Sequence, residues 1–245
     1  MELLVKSGLY SVFVGVESGC QADLNLFKKQ CTVEEARETV KLFRRYGISV
    51  DIGFIMFHPF STLESISQNI DLLEDLGLAG FEEIVSYYRY DCGPRLAEGA
   101  TVYKDHGVNN WLFKDTAAGN VFLFMYWYLE TLKKPIERYE KALERLGGHY
   151  SCMQFCFRND YMDDYIYALD IIQKIEAVRH TVSMYLCRWA RKLIEISRAG
   201  FDGDKAVEAS VQLINEEIIN GAAEYIERIN KESDEYIDRI AKQAV

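Results

Sequence analysis

The residues placed to do chemistry are polar side chains that directly follow apolar runs. Glu17 and Ser18 end the run VFVGVES at 12–18, His58 follows the β-rich stretch 48–57, and Arg89 and Asp91 follow the stretch 81–88. At the carboxyl end of a parallel strand such a residue faces the ligand-binding mouth of an α/β barrel, whereas mid-strand residues fill the core. Each of them also suits a capped or solvated loop. His58, before Pro59, fits a general base or a substrate contact, but a lone histidine at a strand end is more often a hydrogen-bonded structural residue. Cys152 and Cys156, if helical, share a face, but two thiolates with no further Cys or His nearby make a poor metal site. Cys20, Cys31, Cys92 and Cys187 show no ligand spacing, and His106, His149 and His180 are isolated. Asp202-Gly203-Asp204 lacks the spaced ligands of a calcium loop and reads as a helix cap. No P-loop, GxGxxG or serine hydrolase elbow is present.

The elements that must carry these residues repeat one plan over the first hundred positions. Thr32 and Glu35 form a capping box, Val33, Ala36, Val40 and Phe43 recur at helical spacing, and Gly47 stops the helix. A strand at 48–57 follows. Ser61 and Glu64 are expected to cap a second helix striped by Ile66, Ile70, Leu73 and Leu76 and closed by Gly77, with a further strand at 81–88. Residues 1–16 show the same ending, with Gly8 as the stop before a strand at 11–16, so Met1 is expected near the last turns of a helix that begins outside this sequence. Apolar strands alternating with helices pair in parallel and are expected to be covered on both faces.

From about residue 115 the pattern is helical. Val207, Val211, Ile214, Ile218, Ala222, Ile226 and Ile229 recur three or four apart, which reads as bundle core and alternatively as a surface helix that recruits a partner. Phe122, Phe124, Tyr126, Trp127 and Tyr128 read as core packing, with a substrate cavity as the alternative. The expected fold class is α/β: an incomplete (β/α) TIM-type partial barrel of three parallel strands at 1–105, then an α-helical carboxyl-terminal region at 106–245.

Composition narrows the function classes. The chain of 245 residues is 49% hydrophobic and 27% charged, ordinary values for a globular protein with a substantial core. A formal charge of -10 with no basic face argues against nucleic-acid binding. The apolar run at 121–129 is far shorter than the roughly 20 residues that span a bilayer. No membrane partner is expected, and six dispersed cysteines fit reduced thiols and a cytoplasmic location. The open strand edge is expected to be covered by a partner chain or by self-association.

The segment GLYSVFVGVESG, then Lys29 and Thr32 before a helix, then the strand, x-Pro, Thr, helix passage around Pro59 and Thr62, resembles the second half of a radical S-adenosylmethionine domain, especially that of the cobalamin-binding subgroup. The resemblance covers residues 1 to about 100. It implies a partial barrel that binds a [4Fe-4S] cluster and S-adenosylmethionine, with cleavage to a 5'-deoxyadenosyl radical. It further places Glu17 and Ser18 near the amino acid or ribose part of S-adenosylmethionine, and Ile55, Met56, Phe57 and His58 near the adenine. Where the family often has Gly and Glu, this chain has Phe57 and Ser61. The CxxxCxxC loop that holds the cluster in this family is absent: Cys152 and Cys156 have its first spacing, but Asn159 stands in the third place. The expectation is therefore a fragment that contributes part of an S-adenosylmethionine pocket and is inactive alone, the cluster and cobalamin belonging to a missing portion; the alternative is a non-catalytic remnant or a helical interaction module.

Overall fold

The computed structural model describes residues 1–9, 11–88, 100–105, 108–137, 141 and 162–243. Arg89, Asp91, Cys92, His106, His149, Cys152 and Cys156 lie outside the described residues. A short helix α1 (Glu2–Lys6) leads through Gly8, at φ +97, into β1 (Ser11–Glu17). Helices α2 (Gln21–Leu26) and α3 (Val33–Arg45) follow, then β2 (Ser49–Phe54) and α4 (Leu63–Leu76). The Thr32–Glu35 capping box forms as expected: Glu35 N–H donates to Thr32 Oγ1 and Thr32 N–H donates to Glu35 Oε2. Gly47 and Gly77 take the positive φ values, 68° and 59°, that let the chain leave α3 and α4 at once.

β1 and β2 pair in parallel, Val12 opposite Val50 and Gly15 opposite Gly53. The face carrying Val16, Val50, Ile52 and Phe54 is buried in the main core with Ile66, Ile70 and Leu73 of α4. Among the described residues the other face is left open: Phe13 is 74% exposed and Asp51 is exposed. Among the described residues, the sheet therefore has the cover expected of a parallel pair on one side.

Two expectations need correction, and one element was not anticipated. Residues 81–88 do not form a third parallel strand. Phe81–Val85 is a helix, α5, and only Tyr87 pairs with Phe57, in a single parallel bridge. The helical turn wins locally because Gly80 N–H donates to Glu83 Oε2 and because Phe81 and Ile84, three apart, are both buried. The cap of α4 stands one residue later than read. Thr62 Oγ1 accepts from Ser65 N–H, while Ser61 Oγ is taken by His58 N–H. An antiparallel hairpin that the sequence did not announce, β3 (Val102–Asp105) and β4 (Val108–Trp111), joins the two parts of the chain.

The helical region comprises α6 (Thr116–Thr131), the long α7 (Met162–Arg198), α8 (Gly203–Ser210), a π-helical stretch Val211–Ala222 and α9 (Ala223–Gln243). Asp202 caps α8 by accepting from Asp204 N–H and Lys205 N–H. Ile214, Ile218, Ile226 and Ile229 are buried, which is the bundle-core reading of that seam, whereas Val207 and Val211 are exposed. Phe124 and Tyr128 pack into the core, Tyr126 and Trp127 stay at the surface, and Phe122 lies against Phe57 at 5.0 Å between ring centroids. That contact sets α6 against the loop that follows β2. Arg191 of α7 bridges Asp71 and Glu74 of α4, tying the helical region to the sheet's covering layer.

Candidate functional site

β1 ends abruptly. Ser18 N–H donates to Val16 O at 2.9 Å, closing a γ-turn whose central residue, Glu17, has φ +66. A glutamate in that left-handed region is rare, and such turns cost about 1–3 kcal/mol unless their surroundings hold them. Here the surroundings do so. Glu17 Oε1 folds back over Gly15 and pairs with Lys29 Nζ at 2.8 Å, both side chains keeping some exposure to solvent. A Cβ on Gly15 would stand 2.8 Å from that carboxylate oxygen, so a side chain there would push the flexible end of Glu17 aside from its present position.

Behind Glu17 lies a buried polar network. Asn69 of α4 is 0% exposed; its Oδ1 accepts from Gly19 N–H at 2.6 Å and faces Ser18 Oγ at 2.7 Å, and its Nδ2 donates to Met56 O at 3.3 Å. One amide thus holds the ends of both strands. Ser18 Oγ also lies 3.0 Å from Asp23 Oδ2 and accepts from Cys20 N–H. Gly19 is pressed against α4, where a Cβ would meet Gln68 O at 2.5 Å and Leu72 Cβ at 2.8 Å.

His58 closes the network from the other strand. It is 0% exposed, its Nδ1 accepts from Phe60 N–H, and its Nε2 stands 3.1 Å from Asp23 Oδ1 without good hydrogen-bond alignment. With Nδ1 accepting, the partners assign the neutral ring's proton to Nε2, facing the carboxylate. Phe27 packs edge-on to the ring at 5.2 Å, and Phe27, Tyr88, Ile55, Phe60 and Trp111 form a small apolar cluster beside it. Trp111 Nε1–H donates to Tyr88 O, which fastens the hairpin to this cluster.

The residues expected at the site fall into two groups. Glu17 and Ile55 are only partly buried and adjacent, Ile55 N–H donating to Glu17 O at 2.7 Å. Ser18, Met56, Phe57 and His58 have buried side chains that pack or hydrogen-bond inward. Asp23 and Asn69 were not singled out in the sequence, although a polar residue beside Ile66, Ile70 and Leu73 on an apolar helical face is the signal that marks Asn69.

Among the described residues no group of three or more His, Cys, Asp or Glu side chains converges as metal ligands. Cys20, Cys31 and Cys187 are free thiols; burial pushes Cys20 above the usual thiol range and Cys187 up to about 12, so neither is a ready thiolate. A [4Fe-4S] cluster therefore does not fit the described residues. No helix among them is long and apolar enough to cross a membrane.

No protein-family model matches the chain. A curated protein, the 4'-phospho-dehydrooxetanocin synthase of Priestia megaterium, is 33% identical over 88 residues, an alignment that covers 32% of this chain and 12% of that protein. Among solved structures, the cobalamin-dependent S-adenosylmethionine radical enzyme OxsB with aqua-cobalamin bound aligns with 96% of this chain and 38% of its own, at 14% identity and a TM-score of 0.39. The same enzyme with aqua-cobalamin and S-adenosylmethionine bound aligns with 98% and 38%, at 14% identity and a TM-score of 0.41. Superpositions this loose add no argument about the fold. The chain thus spans well under half of the proteins it matches, and what is shown is a relation, over part of its length, to a 4'-phospho-dehydrooxetanocin synthase, with a radical S-adenosylmethionine enzyme that uses cobalamin among its structural neighbours.

Proposed function

We propose that this chain supplies part of the S-adenosylmethionine pocket of a radical S-adenosylmethionine enzyme of the cobalamin-binding subgroup, and that it is inactive without polypeptide that holds the iron–sulfur cluster. The observation that carries the reading is Glu17: a strained strand-end carboxylate beside the Lys29 ammonium, held from below by a network buried between two strands. A carboxylate and an ammonium side by side match the two charges of an amino acid zwitterion. Glu17 is the residue proposed to touch the amino acid or ribose part, with Ser18 setting its turn. Ile55 is proposed to offer the apolar surface for the adenine; Met56, Phe57 and His58, whose side chains point inward, serve that surface through their backbone and by holding the loop.

The cluster and cobalamin belong, in this reading, to residues other than the described ones. The uncovered sheet face at Phe13 is proposed to be closed by that polypeptide or by a second copy. Free thiols at Cys20, Cys31 and Cys187 suit a cytoplasmic setting. A second reading, a non-catalytic interaction module, is favoured by the exposure of Leu123, Tyr126 and Trp127 on one side of α6.

Equilibrium dialysis with S-adenosylmethionine separates the two. Binding by the chain alone is expected under the first reading, and its absence removes that reading. A stoichiometric [4Fe-4S] absorbance after anaerobic reconstitution with iron and sulfide would overturn the placement of the cluster elsewhere.

A further inference from the structure

β2 has two edges, and β1 occupies only one. Ile55 N–H donates to Glu17 O, and strand alternation puts the main-chain groups of Gly53 and Asp51 on that same side. The N–H and C=O of Val50 and Ile52 therefore point to the opposite edge. There the bridge from Phe57 to Tyr87 lies beyond the strand's end, and among the described residues no backbone hydrogen bond outside the β1 ladder reaches residues 49–54.

A cleft of about 440 Å³ lies against this edge and reaches across the open face to Phe13 of β1; its other walls are Val50–Ile52, the 77–83 segment and α7. Its apolar walls include Leu78, Phe81 and Val182. Among the described residues its charges are Asp51, Glu82 and Glu83 against one cation, Arg179. Asp51 and Glu82 are exposed and make no ion pair among the described residues, while Glu83 is occupied by Gly80 N–H. A row of unpaired main-chain donors and acceptors along a strand takes up an extended chain, because each buried peptide group seeks a partner and a strand satisfies several at once. The acidic excess around the row selects the charge of that chain.

We propose that the β2 edge is a strand-addition site for a short, extended, basic segment of a partner protein, whose main chain pairs with Val50 and Ile52 and whose cationic side chains meet Asp51 and Glu82. Three residues of strand span about 10 Å, so the contact is brief and depends on charge for its strength. α5, which would have to unwind to fill the same edge from within, is held by its Gly80 cap and by the burial of Phe81 and Ile84.

Amide hydrogen exchange followed by NMR tests this on the full chain, with acetyl-Lys-Val-Lys-Val-Lys-Val-amide as probe and the matching Glu-Val peptide as control. Without peptide, the amides of Val50 and Ile52 should exchange at least tenfold faster than those of Asp51 and Gly53, which face β1. The basic peptide should slow Val50 and Ile52 at least tenfold and the acidic one should leave them unchanged. The surface variant Asp51→Lys/Glu82→Lys should lose protection by the basic peptide. Slow exchange at Val50 and Ile52 in the free chain would show that the chain fills its own edge and would overturn the proposal. So would equal protection by both peptides, no protection by either, or undiminished protection in the double variant.

Discussion

Replacing Asn69 by leucine removes the amide that joins the two strand ends while keeping the volume of the side chain. Gly19 N–H and Met56 C=O then lose their partner inside a buried site. The Gly19 backbone cannot swing away to find water, because it already lies against Gln68 and Leu72. An unsatisfied buried group costs about 1–3 kcal/mol, so two of them cost roughly 4 kcal/mol. For a chain of this size that is a fall in melting temperature of about 10 °C. Urea unfolding and calorimetry of Asn69→Leu against the unaltered chain measure it. A variant within about 0.5 kcal/mol of the parent would refute the reasoning, since that is the range of surface substitutions away from any such network.

Gly19→Ala should cost about 2–3 kcal/mol by urea unfolding, since its methyl group would stand 2.5 Å from Gln68 O and the helix backbone has no room to yield. Glu83 has its pKa raised, chiefly by burial and further by Glu82 and Asp51. Its folded value thus lies above its unfolded value, so stability is fullest below the ordinary carboxylate pKa and declines as pH rises through the folded pKa. Glu83→Gln should therefore melt above the parent at pH 7 and level with it near pH 4, and an unchanged pH profile would contradict this. Arg191→Met should cost about 1 kcal/mol, a modest figure because its ion pairs with Asp71 and Glu74 are partly solvated, and the difference should shrink in 1 M salt.

What was legible in the sequence was local. Thr32 with Glu35, Gly47 and Gly77 announce their helix ends because a cap is decided within a few residues. The run at 11–16 reads as a strand because its apolar content leaves no polar face for a helix. The segment 81–88 misled because alternation and helical spacing coincide over so short a run, and the Gly80 cap then decided for a turn of helix. Ser61 was read as a cap because serine suits one, yet His58 N–H, three residues away, claims it first. The network behind Glu17 was legible only in fragments. Ser18 and Asn69 lie 51 positions apart, so their meeting is a product of packing that no local pattern announces. The ion pair of Glu17 with Lys29 likewise depends on the strained turn at φ +66, a conformation that a glutamate in sequence gives no reason to expect.

Isothermal titration of S-adenosylmethionine into the chain and into Glu17→Ala tests the central claim most directly. The account predicts measurable binding by the parent and at least a tenfold loss in the variant, about 1.4 kcal/mol or more, with both proteins melting within a few degrees of each other. Equal affinity in the two proteins, or no binding by the parent, would contradict it.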